Sequence, residues 1–285
     1  MSSSGSAPKK RQSLLFSVKS IFKSSKRHTE GMTPMALAFL HGHLTMAKHL
    51  RAAGASPLLI HNNGESLASF AVLAQNPSLI RWLATLGNTN LLLNSRDPGG
   101  NHPLHHAVLR ANLDVTRALL EAGAQPNPHA TTGLGTPLLH TLDKRLNTTQ
   151  APATRLATVL LLLQHGAATD IPHEADGTYP LHEAVLSAGA AAANDNEHDM
   201  AILTALLDDP RTEVDVGLAR DDDGLRGTTP LMYAAATGRA AVVRLLLGRG
   251  ADPRRANGLG EVALHWAGII DNGGERGGGE EEEEE

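Results

Sequence analysis

The sequence predicts an all-α fold, a solenoid of stacked helix-turn-helix units. Three observations predict it. A segment of thirty-odd residues recurs along the chain, its best copies open on Thr-Pro, and glycines close its two short apolar-striped runs. Runs this short cannot bury their apolar faces alone, so neighbouring copies must stack into a continuous core.

The stretch GTTPLMYAAATGRAAVVRLLLGRGADP, from Gly227 to Pro253, serves as a template. GMTPMALAFLHGHLTMAKHLRAAGASP, Gly31 to Pro57, and GNHPLHHAVLRANLDVTRALLEAGAQP, Gly100 to Pro126, match it without a gap. A degenerate copy begins at Gly64, and three further starts lie at Gly135, Gly177 and Gly260. The threonine position is held in turn by Thr33, Ser66, His102, Thr136, Tyr179, Thr229 and Val262, at spacings of 33, 36, 34, 43, 50 and 33. The long spacings have visible causes. Inserts fall near 143–155 and 188–199, and an extended acidic connection occupies 211–227.

Within a copy, the hydroxyl of Thr33, Thr136 or Thr229 suits an N-cap, because it can accept from an orphan helix N–H. Pro34, Pro103, Pro137, Pro180 and Pro230 suit the first helical position, where no N–H is needed. In the sixth copy the first helix is expected from Pro230 to about Thr237, ended by Gly238. The second places Val242, Val243, Leu246 and Leu247 on one stripe at helical spacing, and Gly250 closes it.

These residues resemble the ankyrin repeat, whose signature is T-P-L-H-x-A at a period of 33. The resemblance covers about residues 30–268, roughly seven units. It rests on Thr229-Pro230-Leu231, Ala234-Ala235, Gly238, Leu245-Leu246-Leu247 and Gly250-Ala251-Asp252. It implies helix pairs joined by β-hairpin-like loops. His105, His182 and His265 occupy the family's histidine position, where a backbone hydrogen bond between repeats is expected. There are departures: Ser66-Leu67 and Val262-Ala263 replace Thr-Pro, and Leu134 stands where the fourth copy should have glycine. The seventh copy reads as a half-unit, either a terminal cap or a truncation.

The net charge of −5 conceals opposed segments. Residues 1–29 form a serine-rich head of +7 without an acid, residues 271–285 a glycine- and glutamate-rich tail of −7, and the repeats, 30–270, carry −5. The tail is expected to be disordered, since like charges repel and nothing apolar is left to bury. In the head, Leu14, Leu15, Val18, Ile21 and Phe22 fall on one helical face, with Lys19, Lys23 and Lys26 on the other. Three readings stay open for this basic amphipathic helix: a capping helix on the first repeat, a weak contact with an anionic membrane surface through residues 13–27, or a mitochondrial transit signal. No apolar run reaches the roughly 18–20 residues of a membrane span.

Composition narrows the chemistry. With no cysteine there are no disulfides, thiolate nucleophiles or cysteine-ligated metals. With 3% aromatics, stacking platforms for single-stranded nucleic acid are not expected, and no nucleic-acid partner is assigned. His102 and His106 have the i, i+4 spacing of metal ligands, with His105 beside them, but no acidic residue lies among them as a third ligand, so no metal and no cofactor are expected. His182-Glu183, His106, Ser187 and Asp114 match no catalytic signature: no G-x-S-x-G, Walker loop, H-E-x-x-H or dinucleotide fingerprint is present. An enzyme is not expected. The resemblance instead implies an adaptor or regulatory subunit, a monomer gripping an unidentified protein with hairpin tips and a concave groove. Carried over by position, the contact residues are Asn62, Asn63, Glu65, Asn101, Arg110, Lys144, Ser187, Arg226 and Thr237. The alternative is a scaffold recruited to a membrane surface by the head. Cytoplasmic or nuclear placement is the expectation, with mitochondrial targeting open.

Overall fold

The computed structural model describes residues 32–58, 65–87, 90–128, 135–143, 150–189, 196–220 and 225–267. The head, the tail, and Asn62, Asn63 and Lys144 lie outside the described residues. The fold is an all-α solenoid of helix pairs, divided into two compact units after Ala168.

The first unit contains four pairs: α1 (Pro34–Leu40) and α2 (Leu44–Ala52); α3 (Leu67–Leu73) and α4 (Pro77–Ala84), followed by one turn, α5 (Asn90–Leu93); α6 (Pro103–Leu109) and α7 (Leu113–Glu121); α8 (Pro137–Leu142) and α9 (Pro152–Gln164). First helices pack in series, α1 on α3 on α6 on α8, and second helices follow, α4 on α7 on α9. The second unit holds α10 (Pro180–Gly189) with α11 (Asn196–Leu207), α12 (Pro230–Ala236) with α13 (Ala240–Gly248), and α14 (Ala263–Ala267). There α10 packs on α12, and α12 on α14.

The helix starts follow from local chemistry. The Thr33 hydroxyl accepts from Ala36 N–H at 3.2 Å, Thr136 from Leu139 N–H at 3.4 Å and Thr229 from Met232 N–H at 3.4 Å. Ser66 does the same for Ser69, at 3.4 Å, and donates to the Leu92 carbonyl of α5 at 2.7 Å. The ends are equally local. After the first helix of a pair the chain turns through the left-handed region at Gly42 (φ 74°), Gln75 (52°), Ala111 (54°) and Gly238 (64°), four equivalent positions. Each turn closes with a bond from the next amide to the helix, such as His43 N–H to Ala38 O and Arg239 N–H to Ala234 O. At two of the four a side chain tolerates a backbone that glycine adopts without strain.

Part of each sequence insert is helical. Residues 152–155 belong to α9, α10 extends to Gly189, and 196–199 begin α11. The described parts of the connection, 211–220 and 225–227, fold back on the stack: Leu218 N–H donates to Thr228 O, Gly227 N–H to Leu218 O and Ala219 N–H to Gly177 O. Glycine permits the crossing, since a Cβ on Gly217 would stand 2.6 Å from the Cα of Gly227.

The apolar stripe of the second helices has two flanks. On α7, Val115 and Leu119 are buried, and so are Thr116 and Leu120 on the other flank, because α4 and α9 pack on either side. On α13 only Val242 and Leu246 are buried. Val243 is partly open and Leu247 is 42% exposed. The four-residue stripe read from the sequence is therefore corrected to a buried pair and an open pair, since no described helix follows α13 on that flank.

Leu246→Ala should cost about 2–5 kcal/mol in chemical unfolding, because a closed cavity replaces the side chain. Leu247→Ala should cost under about 1 kcal/mol. Equal costs would refute the two-flank assignment. Ala111→Gly should stabilise by roughly 0.5–1 kcal/mol through relief of the positive φ, and a loss of stability would contradict it.

Candidate protein-binding surface

The loop tips that precede the first helices are small closed turns. At the third repeat, Asp97 N–H donates to Asn101 O at 3.0 Å and Gly100 N–H to Asp97 O at 2.8 Å. The Asp97 carboxylate then accepts from Asn101 N–H at 2.7 Å, and from His106 Nε2 on α6 at 2.8 Å. Burial opposes its ionisation, but the His106 hydrogen bond and charge, with the Asn101 amide, hold the carboxyl below its ordinary range. At the last repeat Asn257 plays the same part, pairing with the Glu261 backbone and taking the Leu259 and Glu261 amides on its side-chain oxygen.

Behind the tips, histidines join consecutive repeats. His105 Nδ1 accepts from His102 N–H at 3.1 Å, and Nε2–H donates to Gly135 O of the next repeat at 3.1 Å. His182 repeats the arrangement with Tyr179 N–H at 3.2 Å and Thr228 O at 3.0 Å. Each ring is therefore the neutral Nε2–H tautomer. Burial lowers both basicities, that of His182 to about 4 and that of His105 well below its ordinary value. A second proton would also have to sit on Nδ1, which already faces an N–H. His265 accepts from Val262 N–H at 2.9 Å but is exposed, since no described repeat follows it.

The predicted contact residues divide sharply. Arg226 is exposed in the loop before α12, and Glu65 is partly exposed before α3. Arg110 caps α6 and is partly buried, with its basicity lowered by desolvation. Thr237 caps α12, its hydroxyl donating to the Tyr233 and Ala234 carbonyls. Two expectations are corrected. Asn101 is only 4% exposed, because its amides serve the Asp97 turn. Ser187 is only 7% exposed, because α10 runs on past it and places it inside a helix rather than at a tip. Among the described contact residues, those left at least partly exposed are Glu65 and Arg110 in the first unit and Arg226 and Thr237 in the second.

Position-by-position transfer missed an aromatic row in the second unit. Tyr179, His182, Tyr233 and Trp266 follow one another with ring centroids 6.0, 5.7 and 5.7 Å apart, the last two contacts edge-to-face. Tyr233 and Trp266 are partly exposed, and Trp266 Nε1–H donates to Glu261 at 3.0 Å. Burial, then the nearby Glu183 charge, raises the Tyr233 phenol above its ordinary range. Tyr233 and Trp266 both sit one residue after the family's histidine position, and that recurrence was the available signal. Among the described residues no group of three or more His, Asp or Glu is placed to hold a metal ion, and no helix is long and apolar enough to cross a membrane.

Comparison with known proteins gives a consistent picture. The family model for ankyrin repeats matches residues 35–130 and 189–271 in three copies. The chain is 27% identical over 203 residues to the B-cell lymphoma 3 protein homolog of Mus musculus, covering 65% of this chain and 43% of that protein. It is 29% identical over 181 residues to ankyrin repeat protein nuc-2 of Neurospora crassa, covering 55% and 15%. The chain thus spans less than half the length of these curated relatives. Among solved structures, the ankyrin repeat domain of Bcl-3 superposes with a TM-score of 0.63 at 24% identity, over 85% of this chain and 97% of that one, a likeness of fold.

In the unfolded chain histidine takes its proton near pH 6.5. His105 and His182 resist it in the fold, so the unfolded state binds more protons below that pH. Stability should be full above about pH 6.5 and fall as the pH drops toward 4, by about 2–3 kcal/mol for His182 alone. Unfolding midpoints measured across that range should slope less in His182→Gln. An unchanged slope would remove His182 as the cause.

Proposed function

Since the chain belongs to the ankyrin-repeat family, we propose that it acts as a non-enzymatic protein–protein interaction module, an adaptor or regulatory subunit that holds a partner protein against its loop tips and first helices. The observation that carries this reading is the partly exposed Tyr233–Trp266 edge-to-face pair, with Thr237 one turn on from Tyr233 along α12 and Arg226 exposed in the preceding loop. Arginine and large aromatics dominate the energetics of protein interfaces. The rings are already fixed by their neighbours and the Trp266 indole by Glu261, so ordering them on binding costs little entropy. The titratable groups near the tips support a binding rather than a catalytic role: Asp97 and His106, with the Asn101 amide, hold a turn closed, and His105 and His182 bridge repeats.

The test uses the full chain as bait and follows one captured protein by titration. Arg226→Ala and Trp266→Ala should each weaken that complex by at least about tenfold, as hot-spot truncations do. Arg226→Ala should leave the unfolding free energy within about 0.5 kcal/mol. A partner held equally well by both variants is not bound at this surface.

A further inference from the structure

Among the described residues no helix packs on one side of the first repeat, and the side chains exposed there show what kind of cover that side takes. Pro34, Leu37, Met46 and Leu50 line an open groove between α1 and α2, together with the His41 and His43 rings. Met46 is 53% exposed, yet its equivalents in later repeats, Leu79, Val115 and Val242, are buried. Leu50 is partly open, whereas Leu83, Leu119 and Leu246 are buried. Pro34 is exposed, whereas Pro103 and Pro230 are buried. These are core positions that no described residue covers, at the edge where repeat arrays need a polar cap.

We propose that the groove is covered by this chain's own head, residues 13–22, docking as a helix whose Leu14, Leu15, Val18, Ile21 and Phe22 stripe fills the place of a preceding repeat. The head lies immediately upstream of the helix that lines the groove. The eleven residues from Lys23 to Thr33 reach up to about 36 Å when extended, more than the roughly 15 Å length of a ten-residue helix. A helix this short is marginal alone in water and needs an apolar surface. The groove needs one too. Docking of the stripe turns Lys19 outward, with Lys23 directly after the helix, and so gives this edge a polar outer face.

The full chain offers a clean test, because it contains no cysteine. Leu14→Cys, Val18→Cys and Ile21→Cys are each paired with Met46→Cys and oxidised mildly in dilute solution, with Lys19→Cys paired with Met46→Cys as the control. At least one stripe pair should close as an intrachain disulfide at monomer mass, since docking brings its Cα atoms within about 7 Å. The control should not close. Independently, amide exchange in α2 should be at least about tenfold slower in the native chain than in a Leu15→Asp, Ile21→Asp variant. Unchanged exchange in α12 shows that this variant is folded. Three results overturn the proposal: stripe pairs that close no better than the control, disulfides that form only between chains and so assign the groove to a second copy, or α2 exchange that ignores the head substitutions. Flotation with phosphatidylserine vesicles that the head substitutions abolish, with α2 exchange unaltered, assigns the head to a membrane and overturns it equally.

Discussion

A pair of short helices has no inside. Every apolar side chain it carries must be covered by the pair before or the pair after, and the rest of this structure follows from that constraint. It explains why α7 buries both flanks of its stripe while α13 buries one. It also explains why the same residue type at equivalent positions is core in one repeat and surface in another, as with Leu120 and Leu247. Stability in such an array is a chain of neighbour terms, so no single centre holds the protein together.

Apolar burial sets how closely repeats approach, and buried polar groups then fix their register. His105 and His182 satisfy an amide within their own repeat and a carbonyl in the next, a double duty that only the neutral imidazole performs. Where the histidine is absent in the second repeat, three serines substitute: Ser95 donates to Ser66, which donates to Leu92 O and caps Ser69. Leaving such groups unpaired in the core would cost more than the bonds themselves contribute. The aromatic row of the second unit is built on the same bridge, with His182 set between Tyr179 and Tyr233.

Much of this was legible in the sequence. The period, the Thr-Pro starts and the glycine ends are local signals, and local chemistry decides them: Thr33, Thr136 and Thr229 cap as their position implies. Exposure was less legible, because it depends on neighbours that a position count does not see. Asn101 occupies a tip by register but is drawn inward by Asp97, and Ser187 is buried because an extended α10 displaces the tip. Equally, Gln75 and Ala111 hold a left-handed turn that their side chains do not advertise, since the surrounding helix ends impose it.

The open edges bear on self-association. The flank left bare by Met46 and Leu50 and the flank left bare by Val243 and Leu247 are the two dissimilar sides of one repeating contact. Copies meeting through them would join front to back, in a contact without a two-fold axis. Whatever shields either edge therefore also blocks that front-to-back contact between copies.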